Sequence, residues 1–133
     1  MPFKWIIIIC IYVTFITNKK KLRAIFEDVK INGMNAKFNE IINGNDLVLV
    51  DFYAEWCGPC KMMSPILQEV KTNLKESVKI IKINVDQHQD LASHFMVRGV
   101  PTLMLFKTGK MLWRQSGVLS SKDLTATITT HLN

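Results

Sequence analysis

Cysteine is scarce in this chain: there are three in 133 residues, and Cys10 stands far from the other two. That excludes a small domain held together by a disulfide framework and fits a reducing compartment. A structural zinc site would need a second CxxC or an HxxxH pair, and neither is present. His88 and His94 are six apart, a spacing that does not place both on one helical face. Long apolar runs are lacking too. The longest, Trp5 to Thr17, has 13 residues, short of the roughly 20 that a spanning helix needs. Phosphate-binding glycine loops, internal repeats and low-complexity tracts are absent. The net charge of +6 has no focus in the body of the chain: residues 1–33 carry six Lys/Arg and two acids, residues 34–133 eleven and nine. No basic stripe with interleaved aromatics occurs, so nucleic acid is not an expected partner.

What the chain does have is concentrated at Trp56-Cys57-Gly58-Pro59-Cys60-Lys61, directly after the apolar run Leu47–Tyr53. That run reads as a strand covered on both faces. The segment from Lys61 to Asn73 reads as a helix, with Met62, Met63, Ile66, Leu67 and Val70 at helical spacing. Cys57 then falls at the helix N-terminus, where unpaired N–H groups and the macrodipole favour a thiolate. Cys60 lies nearly one turn on, at a separation that suits a disulfide. Pro59 belongs in the first turn, where its missing N–H costs nothing. Reversible disulfide chemistry follows, with Cys57 as the attacking thiolate and Cys60 as the buried resolving thiol.

The other elements alternate in type. Asn35 is expected to cap a short helix carrying Phe38, Ile41 and Ile42 and closed by Asn43-Gly44. Pro65 lies inside the active-site helix, where an interior proline usually kinks the axis. Val78–Val85 reads as a β-branched strand, and 86–97 as a helix ended by Gly99. Leu103–Lys107 and Met111–Gln115 form a hairpin through Thr108-Gly109. Phe106 and Trp113 belong to the packing of that sheet. A capping box from Ser120 to Asp123 opens the last helix, which buries Leu124, Ile128 and Leu132. The expected fold is α/β: a central mixed β-sheet flanked by helices on both faces. One hundred residues suffice for one such core.

The stretch Val50-Asp51-Phe52-Tyr53-Ala54-Glu55-Trp56-Cys57-Gly58-Pro59-Cys60-Lys61 resembles the active site of the thioredoxin family. Pro65, Val100-Pro101-Thr102 and the glycines Gly109 and Gly117 extend the likeness, which runs from about Met34 to Asn133. The resemblance implies the thioredoxin fold and a protein disulfide reductase, a catalyst of electron transport in cell redox homeostasis. It implies that Asp51, six residues before Cys57, is a buried carboxylate acting as general base and acid for Cys60, through water. Lys82 matches a lysine that tunes that carboxylate; read alone, it is a snorkelling surface residue. The Val100–Pro101 bond is expected to be cis. Trp56, Gly58, Pro59, Val100, Pro101 and Gly117 would form the platform on which client proteins dock. No bound cofactor and no metal are implied, and electrons would come from an NADPH-dependent flavoprotein thioredoxin reductase. Gly-Pro between the cysteines resembles the reducing members, near about −270 mV as is general for thioredoxins, rather than strong oxidants near about −120 mV. Tyr53 stands where the family often has tryptophan. The family's opening strand could come only from Val29-Lys30-Ile31.

The first 33 residues form a separate leader. Trp5–Thr17 has the length of a signal-peptide core or a membrane-contacting segment, but no small-x-small cleavage site follows. Lys19, Lys20, Lys21 and Arg23 come after it, which would hold the downstream domain in the cytosol. Phe, Tyr, Met, Ile, Asn and Lys make up 20 of these 33 residues, as expected of translated A/T-rich upstream DNA. The expectation is therefore a cytoplasmic, monomeric domain of residues 34–133 with Met34 as its natural start. Two rival readings are a membrane-tethered or exported thiol–disulfide oxidoreductase and a non-catalytic thioredoxin-like interaction module.

Overall fold

In the computed structural model, residues 33–133 are described. The leader with Trp5–Thr17 and Cys10, and the candidate strand Val29-Lys30-Ile31, lie outside the described residues. The chain divides into two compact units, Met1–Ala36 and Lys37–Asn133. Of the first, only the opening of helix α1 (Gly33–Asn43) is described. Asn35, expected as the cap, lies inside this helix, whose backbone is already helical from Gly33.

Four strands form the sheet: β1 (Val48–Tyr53), β2 (Lys79–Asn84), β3 (Thr102–Lys107) and β4 (Lys110–Ser116). Their order is β2-β1-β3-β4, with β1 and β2 parallel and the other two pairs antiparallel. The mixed sheet expected from the sequence is present, and both of its faces are covered. Alternation along β1 assigns the faces. Leu47, Leu49, Leu103 and Leu105 pack under helices α2 (Gly58–Leu74) and α4 (Ser121–Thr130), through Met63, Leu67, Val70, Leu124 and Ile128. Val48, Val50, Phe52, Met104 and Phe106 face the other way, onto Phe38 and Ile42 of α1 and Leu91 of helix α3 (Gln89–His94). There Phe95 meets Phe38, Phe52 and Phe106 at centroid distances of 5.4–6.1 Å. Met62, read from the sequence as part of the inward stripe of α2, is instead exposed, because the buried set Cys60, Met63, Leu67 and Val70 already fills the helix's inner face. The helix runs unbroken through Pro65. Among the described residues no helix is long and apolar enough to cross a membrane.

Segment 86–97 is less helical than its pattern suggests. Asn84 accepts the Asp86 N–H on its side chain and the His88 N–H on its carbonyl, which holds residues 85–87 in turns. Only Gln89–His94 forms a helix. It is closed not by Gly99 but by Met96, whose φ is +49° and which lies just past the C-cap Phe95. The Val97 N–H reaches back to the Ala92 carbonyl, the closure of a Schellman turn. Arg114 of β4 donates to the carbonyls of Phe95 and Met96 at 2.6 and 2.9 Å, which steadies that left-handed residue.

The hairpin and the last helix follow their sequence signals. Thr108 and Gly109 have φ of +49° and +76°, the signature of a type I′ turn. The turn's N–H groups bond to the carbonyls of Gly44 and Ile42 at the end of α1. Ser120 Oγ accepts the Asp123 N–H at 3.1 Å and caps α4. Leu132 lies beyond the helix end but still packs on the core. A Cβ at Gly109 would collide with Asn43 Oδ1 in addition to its left-handed φ. Gly109→Ala should therefore cost about 1–3 kcal/mol. Urea denaturation at neutral pH measures this, and an unchanged midpoint would show that the turn relaxes freely.

Candidate active site

The two cysteines are set by the junction of β1 and α2. β1 ends at Tyr53, and the Cys57 N–H bonds to the Ala54 carbonyl in a tight turn. Cys57 is the N-cap of α2, with extended backbone at φ −86° and ψ 112°. Its Sγ accepts the Cys60 N–H at 3.1 Å, so an end-of-helix donor that would otherwise lack a partner points at the sulfur. Pro59 sits in the first turn, as its missing donor allows. Cys57 and Cys60 are joined as a disulfide, with Cα atoms 5.3 Å apart. Both residues are almost fully buried, at 4% and 3% exposure, so overall exposure does not tell them apart.

The segment before β3 closes over the disulfide. The Val100–Pro101 bond is cis, and the Val100 carbonyl oxygen lies 3.6 Å from Cys57 Sγ. Pro101 itself is buried. The Pro101 carbonyl in turn accepts the Gly117 N–H at 2.9 Å. Gly117 has φ +94° and open space where a side chain would stand. Gly58 likewise has nothing within 4 Å of a would-be Cβ. Trp56 is 71% exposed, so its ring is not part of the core. Its indole N–H donates to Asp86 Oδ2 at 3.0 Å and so holds the ring in place. Trp56, Gly58, Pro59 and Gly117 are all exposed and Val100 is partly so.

Asp51 faces the same side of the sheet as α2. It is completely buried, and among the described residues neither carboxyl oxygen has a hydrogen-bond partner. Burial pushes its pKa up to about 6 from an ordinary 3.8, and the nearby charge of Lys82 pulls part of the way back. Lys82 is Asp51's register partner on β2. Its side chain is exposed, yet its ammonium has specific neighbours. It donates to Ser64 Oγ at 2.8 Å and lies 4.6 Å from the centre of the Tyr53 ring. Beside Cys60 is a cleft of about 180 Å³, walled by Tyr53, Glu55, Lys61, Ser64 and Lys82. Among the described residues no group of His, Cys, Asp and Glu could hold a metal ion.

Sequence reasoning missed Asp86, Ser64 and Arg114. The Trp56–Asp86 bond spans 30 residues, and the Lys82–Ser64 bond spans 18. No spacing rule connects such pairs. The Asn84-Val85-Asp86 turn was the one available signal for Asp86, since Asn and Asp close turns at strand ends.

Comparison with known proteins agrees with this geometry. The family model described as Thioredoxin matches residues 29–130. A thioredoxin of Pseudomonas aeruginosa is 43% identical over 97 residues, spanning 72% of this chain and 90% of that protein. One from Pyropia yezoensis is 39% identical over 94 residues, 71% and 88% of the two chains. Among solved structures, a mutant thioredoxin from Halobacterium salinarum superposes with a TM-score of 0.67 at 37% identity, over 74% of this chain and 85% of the other. The oxidised mitochondrial thioredoxin 3 of Saccharomyces cerevisiae gives 0.66 at 35% identity, over 71% and 88%.

Proposed function

The chain belongs to the thioredoxin family, and from that premise we propose a division of labour among the residues of its redox site. The protein is a thiol–disulfide oxidoreductase, a protein disulfide reductase acting on disulfide-containing clients and re-reduced by thioredoxin reductase. Thioredoxins carry no cofactor; the two sulfurs are the redox group. Cys57 in its thiolate form attacks one sulfur of a client disulfide. A mixed disulfide forms, and the other client sulfur leaves as a thiolate that takes a proton from water. Cys60 then passes its thiol proton to the Asp51 carboxylate through water and attacks Cys57 Sγ. The second client sulfur departs and is protonated. One client disulfide becomes two thiols, and Cys57–Cys60 takes up the oxidised form.

The observation that carries these roles is the N-cap position of Cys57. A sulfur that accepts the Cys60 N–H at the head of a 17-residue helix sits where negative charge is stabilised. Cys60, inside the first turn, has no comparable donor aimed at it among the described residues, and lines the cleft next to Lys82. Asp51 is a buried carboxyl with unfilled hydrogen-bonding capacity and a proton affinity raised toward neutrality, the profile of an acid–base group. The exposed surface of Trp56, Gly58, Pro59 and Gly117, with the Val100 backbone at its centre, is the docking platform. Lys82 tunes Asp51 by its charge. The electrons reach the reductase from NADPH, the potential lies at the reducing end of the family's range, and the working unit is a cytoplasmic monomer of residues 34–133. Phe3 or Trp5 in peptides of the native cellular protein would contradict that start.

The test of the roles is Cys60→Ser. Attack by Cys57 remains possible but the mixed disulfide has no internal route to resolution. Incubation with a protein disulfide substrate should yield a covalent adduct through Cys57, released by dithiothreitol. An adduct through the other position, formed instead by Cys57→Ser, would reverse the assignment.

A further inference from the structure

Lys82 and Asp51 stand opposite each other on adjacent parallel strands, a few ångströms apart in the hydrogen-bonding direction. A lysine so placed beside a buried carboxylate would ordinarily turn inward and bond to it, since an unpaired buried charge is costly. Here it does not. Among the described residues both Asp51 oxygens lack a hydrogen-bond partner, while the Lys82 ammonium donates to Ser64 Oγ at 2.8 Å and rests against the Tyr53 ring. Ser64 lies four residues after Cys60, so both side chains come to the same side of α2, and both wall the cleft beside the disulfide.

We propose that Ser64 is a positioning residue: its hydroxyl anchors the Lys82 ammonium at the wall of the Cys60 cleft and thereby withholds a hydrogen-bonded counter-ion from the buried Asp51 carboxyl. The anchor leaves Lys82 close enough to act on Asp51 by charge but not to engage its oxygens. Asp51 so keeps its affinity for the proton that Cys60 must give up. This rests on the reading of Asp51 as the acid–base group. The charge that acts on Asp51 is that of Lys82, its register partner on β2, while Tyr53, Glu55, Cys60 and Lys61 line the neighbouring cleft with Lys82. β3 presents Leu103 across the register, and α4 covers this face with Leu124 and Ile128, none of them ionisable. Lys61 and Glu55 are exposed at the cleft's rim. Lys82 is thus the group whose position the hydroxyl controls.

The test is Ser64→Ala in the full chain. With the anchor gone, Lys82 turns toward Asp51, and the Asp51 titration midpoint, followed by carbon NMR of its carboxyl in the oxidised protein, should fall by about one pH unit. Ser64→Thr, which keeps a hydroxyl, should leave it in place. In a Lys82→Met background, Ser64→Ala should have no further effect. A midpoint unmoved by Ser64→Ala, or moved equally in the Lys82→Met background, overturns the proposal. Single-turnover insulin reduction across the same pH range addresses the reading beneath it. A shifted Asp51 midpoint with an unshifted rate profile would uphold the anchor and remove Asp51 from the acid–base role.

Discussion

Cys57→Ser should abolish turnover of protein disulfides, by roughly three orders of magnitude or more, the scale on which loss of a nucleophile is felt in covalent catalysis. A serine hydroxyl at neutral pH is a far poorer attacking group than a thiolate. The loss cannot be ascribed to a damaged fold. Cys57 occupies an N-cap position and accepts the Cys60 N–H, a task that serine performs better than most residues. Helix α2 should therefore start where it does now. Insulin reduction with dithiothreitol as electron donor reads the activity, and far-ultraviolet circular dichroism with urea denaturation reads the fold. Retention of more than a few per cent of turnover in a fully folded variant would mean that Cys60 can attack by itself.

The second large effect is on stability. Asp51 has a folded-state pKa of about 6 against an ordinary 3.8, raised by burial and partly offset by Lys82. An acid whose folded pKa is raised binds its proton more tightly when folded than when unfolded. Stability is then greatest below about pH 4, falls as pH rises through the window from about 4 to about 6, and is level above it. Two pH units correspond to about 3 kcal/mol. Asp51→Asn cannot ionise and leaves a buried amide comparable to the neutral acid. It should be more stable than the parent by up to about 3 kcal/mol at pH 7.5, and about equal at pH 4. For a domain of this size the gain amounts to roughly 10–20 °C in Tm. Urea denaturation of both proteins at the two pH values checks this; a difference that does not shrink at pH 4 would assign the effect to something other than Asp51 ionisation. On the proposed role of Asp51 as proton acceptor for Cys60, the same substitution should also slow the second half of catalysis. The site would then hold its carboxylate at the expense of the fold, an arrangement common where stability and chemistry compete.

Much of this was legible before any coordinates, and the reason differs from element to element. Cys57, Pro59 and Cys60 act within one helical turn, so their placement follows from local rules. The Thr108-Gly109 turn and the Ser120–Asp123 cap are equally local, and both stand where the pattern put them. Periodicity over-reached at 86–97, because Asn84 supplies partners that hold the first residues in turns and Met96 takes a left-handed conformation. A methionine with positive φ carries no sequence signal, and what supports it is Arg114, 18 residues away on strand β4. Ser64 was invisible for a related reason. Nothing about a serine in an amphipathic helix announces that a lysine from β2 will bond to it. Periodicity also drew Met62 into the inner stripe, since hydropathy does not reveal how much of a helix face its neighbours leave to fill.

The contact between the β3–β4 turn and the end of α1 bears on how the chain is made. The carbonyls of Ile42 and Gly44, at the end of α1, accept the N–H groups of Gly109 and Thr108, which emerge about 65 residues later, or about 3–13 s later at ordinary rates of about 5–20 residues per second. Throughout that interval those two carbonyls lack the partners they have in the folded domain. β1 waits as well, for its neighbours β2 and β3 are also still to come. The redox motif at residues 56–61 thus leaves the ribosome before the sheet that buries it can close, with both thiols open to whatever oxidant or chaperone is at hand.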